Sequence, residues 1–263
     1  MASPLDKSSW FGVLIAIGGI LAGLLLEGGR IAQVLQPTAA LIVFGGTFGA
    51  VLLQFPLPIV LNSLKRLGQV FFEPSVDPQQ LIKQIVSFAF KARKEGIISL
   101  DRELDKVDDA FLKKSVMLAV DGTEPQELRK MMELELDHQS EHEERFPQVF
   151  EAAGGFSPTV GIIGAVLGLI QVMQHLDNIN EVGRGIAVAF VATIYGVGAA
   201  NLLFLPSAGK LKIRLRQENQ RREMMLEGVI SILEGLNPRM VETKLQAYLA
   251  ESPPSSPPEE EAR

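Results

Sequence analysis

Phe156-Ser-Pro158-Thr-Val-Gly161-Ile-Ile-Gly164-Ala165-Val-Leu-Gly168-Leu-Ile170 is followed, after a short polar break, by Gly185-Ile-Ala-Val-Ala-Phe-Val-Ala-Thr193-Ile-Tyr195-Gly196-Val-Gly198. These two runs decide the fold. Extended to Pro206, each reaches the roughly 20 residues that a membrane-crossing helix needs. Gly161, Gly164 and Gly168 recur in the first, and Ala192, Gly196 and Ala200 in the second. Small residues at such spacing let helix backbones approach closely in lipid, so ordinary transmembrane packing is their simplest role. A proline stands near one end of each run, Pro158 and Pro206, and Thr193 is the one hydroxyl in the middle of the second.

Two more spans lie upstream. Ser8 to Leu26 carries no charge, and Pro37 to Pro58 carries none either. The first lacks the basic n-region and the small-x-small site of a cleaved leader, so an uncleaved span is expected. Pro56 and Pro58 are expected to end or kink the second. Orientation follows Lys and Arg. Lys7, Lys65, Arg66, Arg145, and the run Lys210, Lys212, Arg214, Arg216, Arg221 and Arg222 lie on one side, whereas the two short loops hold only Arg30 and Arg184. The basic side is the cytoplasmic one, which places both termini and the long central segment there. Spans one and two therefore occupy 8–61, a helical cytoplasmic domain 62–155, spans three and four 156–206, C-terminal cytoplasmic helices 207–250, and a disordered Pro/Ser/Glu tail 251–263. The fold class is an all-α integral membrane protein.

The cytoplasmic segment reads as folded. Asp77-Pro78 opens a helix as cap and first residue, and Leu81, Ile82, Ile85, Val86, Phe88 and Ala89 keep its apolar face. Gly96 breaks it, and Ser99 is expected to cap the next. Thr123-Glu-Pro-Gln126 resembles a capping box before an acidic helix over about 126–146, with a further helix from about 207 to 236 and a short one over 238–250. His138 and His142 share the i, i+4 spacing of a helical metal site. No third ligand stands with them, so they read as exposed residues on a polar face, and no metal or other cofactor is expected.

The composition limits the chemistry. With 47% hydrophobic residues, mean hydropathy is +0.20, yet 21% are charged, because the charges sit outside the four runs. There is no cysteine, and the net charge of -6 with no basic-aromatic patch argues against nucleic acid. No phosphate loop, dinucleotide fingerprint or nucleophile-base pair is present, so an enzyme is not expected. None of the spans holds an Asp, Glu, Lys, Arg or His. Ion-coupled machines usually need such a group in the membrane; if this chain uses an ion gradient, a partner brings the carboxylate.

Phe156 to Leu169 resembles the third-span signature of the MotA/PomA flagellar stator subunits. Ala189-Phe-Val-Ala-Thr193-Ile-Tyr195-Gly196 with Pro206 resembles their fourth span. Ala92-Arg93-Lys94-Glu95-Gly96-Ile-Ile-Ser-Leu100-Asp101 is similar to their cytoplasmic motif, and Phe111 to Gly122 continues it. The resemblance implies a homopentamer in the bacterial inner membrane, ringed around a dimeric MotB-like partner that supplies an ion-binding aspartate and grips peptidoglycan. Ion flow would turn the ring and so drive a FliG-like rotor protein. Arg93 then matches the basic rotor contact, Lys94 its neighbour, and Asp101 an acidic contact that is commonly Glu, with Glu103 able to share the role. Pro158 and Pro206 fall to coupling, Ala165 and Thr193 to the ion path, and Gly161, Gly164, Gly168 and Gly196 to helix packing. In sodium-driven relatives a second threonine usually stands where this chain has Ala165. A bare sodium ion wants several oxygen ligands, so H+ is expected over Na+. The related ExbB/TolQ energisers have three spans, and the paired first two spans here favour the stator; a four-span scaffold that moves no ion is the third reading.

Overall fold

The computed structural model describes residues 6–72 and 77–250. Four helices among them are long and apolar enough to cross a membrane, and no strand occurs among the described residues. The chain divides into two compact units, 1–75 with 142–214, and 76–141 with 215–263.

The first unit holds the spans. α1 (Lys7–Leu26) is span one, α2 (Ile31–Val34) adds a helical turn to the connection expected as a loop, and α3 (Pro37–Gln54) is span two. α3 stops at Gln54 because Phe55 is extended before Pro56, as a residue preceding proline prefers. α4 (Leu57–Arg66) and α5 (Gly68–Phe71) follow. Span three is the later part of α8 (Pro125–Gln174), and span four is α9 (Ile179–Ala199). Ala39, Val43, Thr47 and Val51 form the buried stripe of α3 at four-residue spacing, with Ala39 and Val43 against Val191 and Ala192 of α9. By contrast α1 buries none of its side chains.

One expectation about helix boundaries is corrected. The acidic helix over 126–146 is not a separate element: α8 runs 50 residues without a break, with Pro147 and Pro158 inside it. Nor does Pro206 end a helix. After α9 a π turn, Ala200–Phe204, leads straight into α10 (Leu205–Leu233). A proline ring clashes with the carbonyl four residues back, and widening the preceding turn to π spacing relieves that clash without stopping the helix. Asn201 Nδ2 donates to Val197 O at 2.9 Å, satisfying a carbonyl beside the irregular turn.

The second unit is an independent helical core. α6 (Pro78–Glu95) is capped by Asp77, whose carboxylate accepts from Gln79 N at 2.9 Å. Gly96 takes φ +83, a conformation natural to glycine alone, and a 3-10 segment, Ile97–Lys106, doubles back. Ser99 does not cap it: Gly96 occupies the cap position, and the Ser99 hydroxyl donates to Gly96 O at 2.7 Å. α7 (Ala110–Val120) closes with Gly122 at φ +84 and Thr123 N–H donating to Leu118 O at 3.1 Å. That bond takes Thr123 into the end of α7, and α8 opens at Pro125. α11 (Pro238–Ala250) completes the unit. Ile82, Ile85, Leu100, Leu112, Leu128, Met225, Ile230 and Leu245 form its buried centre. Glu227 ties three elements together, with Arg129 Nη2 at 2.8 Å and the Lys244 ammonium on its other oxygen. Burial pushes the Glu227 carboxyl up, but Lys244 and Arg129 together outweigh burial and hold it below its ordinary value. The expected tail beyond 250 lies outside the described residues.

A buried carboxylate anchors the start of span one. Asp6 is only 2% exposed. It caps α1 through Ser9 N at 3.2 Å and accepts from Ser8 Oγ at 2.5 Å. Lys210 Nζ stands 2.5 Å and Arg214 Nη2 3.0 Å from its Oδ2. Its own N–H donates to Phe71 O at 2.9 Å, and Trp10 meets the Phe71 ring at 5.4 Å. The Lys210 ammonium, then the Ser8 hydroxyl, hold the carboxyl far below the carboxylate range against the opposing effect of burial. A depressed carboxyl contributes stability above its unfolded value of about 4 and loses it as pH falls toward the folded value. Asp6→Asn keeps a capping oxygen but leaves two cations unpaired, and should lower stability by on the order of 2 kcal/mol at neutral pH. Thermal unfolding in detergent checks this: the gap between variant and wild type should shrink steadily below about pH 4.

Candidate functional site

The membrane unit brings spans three and four together backbone to backbone. A Cβ built on Gly161 would lie 2.9 Å from Ala192 O and 3.2 Å from Gly196 Cα. One on Gly164 would lie 2.8 Å from Ala192 Cβ, one on Gly168 2.8 Å from Gly185 O, and one on Gly196 2.5 Å from Ser157 O. All four predicted packing glycines thus sit in the seam between α8 and α9, with Gly185 as a fifth that the sequence reading did not single out. They are spent inside the chain rather than offered to other subunits.

Gly164 faces Ala192, and Ala165 and Thr193 are the next residues along these two antiparallel helices. Both are half-buried. The Thr193 hydroxyl donates to Ala189 O at 3.2 Å, the local bond expected of a helical threonine. Pro158 is half-buried inside α8, Pro206 exposed just after the π turn. The structure gives three more polar groups in this unit that sequence did not flag. Tyr195 Oη donates to Val34 O at 2.6 Å and accepts from Gln36 N at 3.2 Å, pinning span four to the connection before span two. Thr47 and Ser157 are fully buried, and neither hydroxyl has a partner among the described residues. An apolar pattern around each had hidden them; only the pairing of α3, α8 and α9 reveals where they lie.

In the second unit, α6 and the 3-10 segment carry the predicted contact charges. Arg93, Lys94 and Asp101 are exposed and engage no hydrogen bond or ion pair among the described residues. Glu103 differs. Lys91 Nζ and Lys106 Nζ stand 2.5 and 3.0 Å from its two oxygens. Lys91, then Lys106, hold its carboxyl below the ordinary value. Glu103 is therefore a brace between α6 and the 3-10 segment, whereas Arg93, Lys94 and Asp101, like their neighbours Glu95 and Arg102, are exposed with no partner among the described residues. His138 and His142 do not come together with a third ligand: no group of three or more metal-binding side chains occurs among the described residues. His142 instead packs edge-on against Phe146 at 5.5 Å, with Arg66 4.2 Å over the same ring and paired to Glu143.

Comparisons agree with this arrangement. A family model described as Motility protein A N-terminal matches residues 10–96, and one described as MotA/TolQ/ExbB proton channel family matches 103–224. The chain is 37% identical to Motility protein A of Bacillus subtilis, covering 93% of this chain and 91% of that one. It is 31% identical to chemotaxis protein PomA of Vibrio alginolyticus, covering 94% and 96%. The C. jejuni MotAB structure superposes with TM-score 0.89 at 32% identity over 96% of this chain and 99% of that chain. The flagellar MotAB stator complex from Bacillus subtilis does so with TM-score 0.85 at 37% identity, over 93% and 96%.

The seam generates a paired test. Gly161→Ala forces a methyl against the Ala192 carbonyl and should cost about 1–3 kcal/mol, as overpacking does. Gly155→Ala, in open space on the same helix, should be neutral or stabilise by up to about 1 kcal/mol through helix propensity. Unfolding midpoints of the two variants in the same detergent check the contrast.

Proposed function

The chain belongs to the MotA/TolQ/ExbB proton channel family and is a stator subunit of the bacterial flagellar motor; from this premise we propose how it converts ion flow into torque. The observation that carries the proposal is that the apolar runs 8–26, 37–58, 156–174 and 185–206 hold no Asp, Glu, Lys, Arg or His. The carboxylate that binds the ion must then come from the partner, which the solved MotAB complexes identify by kind. Five copies in the inner membrane ring a MotB-like dimer, with both termini and the second unit in the cytoplasm. Each ion crossing contributes roughly 2.3 kcal/mol per 100 mV. That matches the roughly 3 kcal/mol scale of a proline defect in a helix, and is far below the cost of unfolding a domain. Pro158 inside α8 and the π turn before Pro206 are where spans three and four bend at that energy. The cytoplasmic unit delivers the motion, with Arg93, Lys94 and Asp101 against a FliG-like rotor protein.

With alanine at 165, Thr193 is the one Ser or Thr hydroxyl in 160–174 and 185–206. The Thr193 hydroxyl donates its hydrogen to Ala189 O, which leaves its oxygen able to offer one ligand per subunit. A sodium ion needs several oxygen ligands, while a proton needs one carboxylate, so the transported ion is H+.

Arg93→Glu should abolish or strongly reduce spreading in soft agar with unchanged membrane level, because substitution of an exposed charge rarely moves stability by more than about 0.5 kcal/mol. Reversal of the matching acid on the rotor should restore part of the motility; normal spreading by the single variant removes the contact from this surface. Motor rotation rate at fixed pH and membrane potential should be indifferent to replacing sodium with potassium and should collapse with a protonophore. Sodium dependence would reverse the ion assignment, and Ala165→Thr alone should not create it.

A further inference from the structure

The start of α10 is gripped from several sides within the first unit. Lys210 Nζ and Arg214 Nη2 both reach Asp6 Oδ2 at the start of span one, at 2.5 and 3.0 Å. The same guanidinium donates through Nη1 to Phe72 O, the residue that ends α5. Lys212 Nζ stands 2.6 Å from Glu151 Oε1 on α8. Ala208 and Leu211 bury in one core with Phe204 of the π turn, Val51 of span two and Phe150 of α8. Charge pairs and apolar contacts thus hold the same two turns of helix.

This grip lies directly beyond a bend. The π turn Ala200–Phe204 and Pro206 come first, and Lys210 and Arg214 follow Pro206 at four and eight residues. Side chains four apart share one helix face, so both cations point to Asp6 together. A helix that bends at the π turn loads the first residues after it. Asp6 is only 2% exposed, so water cannot replace a bond lost there. Removing one member of a buried ion pair leaves an uncompensated charge, at a cost of at least the order of what one ion crossing supplies. A stroke driven by single ions can therefore bend the π turn without parting Asp6 from its cations.

Resting on the stator reading above, we propose that Asp6 is a positioning residue for torque. With Lys210 and Arg214 it forms a load-bearing joint that keeps the start of α10 seated while span four moves at the π turn. Asp6 lies outside both the ion path and the rotor surface, yet it shares in the work done per ion. Without its carboxylate, Lys210 and Arg214 face each other as unpaired like charges in a buried place. Part of each stroke then goes into parting α1 from α10 instead of moving the rotor. The loss grows with the opposing force. Little force crosses the joint when the rotor turns freely, and most when the rotor is held back.

The test uses motile cells in which the full-length chain is induced and torque at one bead-labelled motor rises in steps as stators join. Asp6→Asn should lower the torque added per step under a large bead at least about twofold, because it strands two buried cations. Speed with a small bead should stay near wild type. Steps of wild-type size under the large bead overturn the proposal. So does an equal loss under both beads, which places the defect in ion transit. So does a fall in the number of steps with their size unchanged, which makes Asp6 a matter of assembly alone. If Asp6→Asn does not accumulate in the membrane, Lys210→Gln, which leaves Arg214 on Asp6, is measured in its place with the same outcomes. Induction of the wild-type chain separates the levels. No stepwise torque from it removes the stator reading itself, whereas normal wild-type steps with unaltered Asp6→Asn steps remove only the joint.

Discussion

Close approach of two backbones is the constraint on which the membrane unit depends. Gly161, Gly164, Gly168, Gly185 and Gly196 bring α8 and α9 so near that a methyl group at any of them would meet an atom of the facing helix at under 3 Å. Lipid offers no hydrophobic drive for helix association, so van der Waals contact of this kind must hold the spans together. The same seam sets Ala165 and Thr193 beside the Gly164–Ala192 contact. Ala39 and Val43 of α3 then settle on Val191 and Ala192, and the Tyr195 hydroxyl ties the connection before α3 to span four. Remove the seam and each of these placements loses its reference.

Outside the membrane unit the physics changes from packing of backbones to burial of large side chains and pairing of charges. The second unit has a conventional aliphatic core, with Glu227 bridging α8, α10 and α11 through two cations. Glu103 plays a similar part between α6 and the 3-10 segment. These satisfied acids contrast with Arg93, Lys94 and Asp101, which have no intramolecular work to do. In a chain whose other acids are often enlisted as braces, charges left free on a rigid scaffold are suited to meet a passing partner.

Much of this was legible in the sequence. Four uncharged runs gave the spans because apolar length alone decides membrane crossing. Asp77-Pro78 gave the start of α6, and Asn237-Pro238 the start of α11, because cap and proline chemistry is local. The prolines inside α8, Pro147 and Pro158, gave no sign that the helix is continuous through them. The π turn at Ala200–Phe204 has no periodicity signature of its own. Ser99 and Glu103 were assigned from residue type, whereas a glycine in the left-handed region and two nearby lysines set their roles. Asp6 was invisible because its partners lie far along the chain, and no window of sequence joins them.

That distance bears on how the protein is made. The bond from Arg214 to Asp6 links residues 208 positions apart, and Lys210 is scarcely closer. Span one enters the membrane first, yet every cation that locks its start is synthesised near the end. Domains generally form in order as the chain emerges, and contacts of long sequence separation come last. α1 buries no side chain of its own, so until residues 210–214 appear it waits in the bilayer with little besides the Asp6 amide and Trp10 to hold it. The clamp can therefore close only after the chain has been made through residue 214.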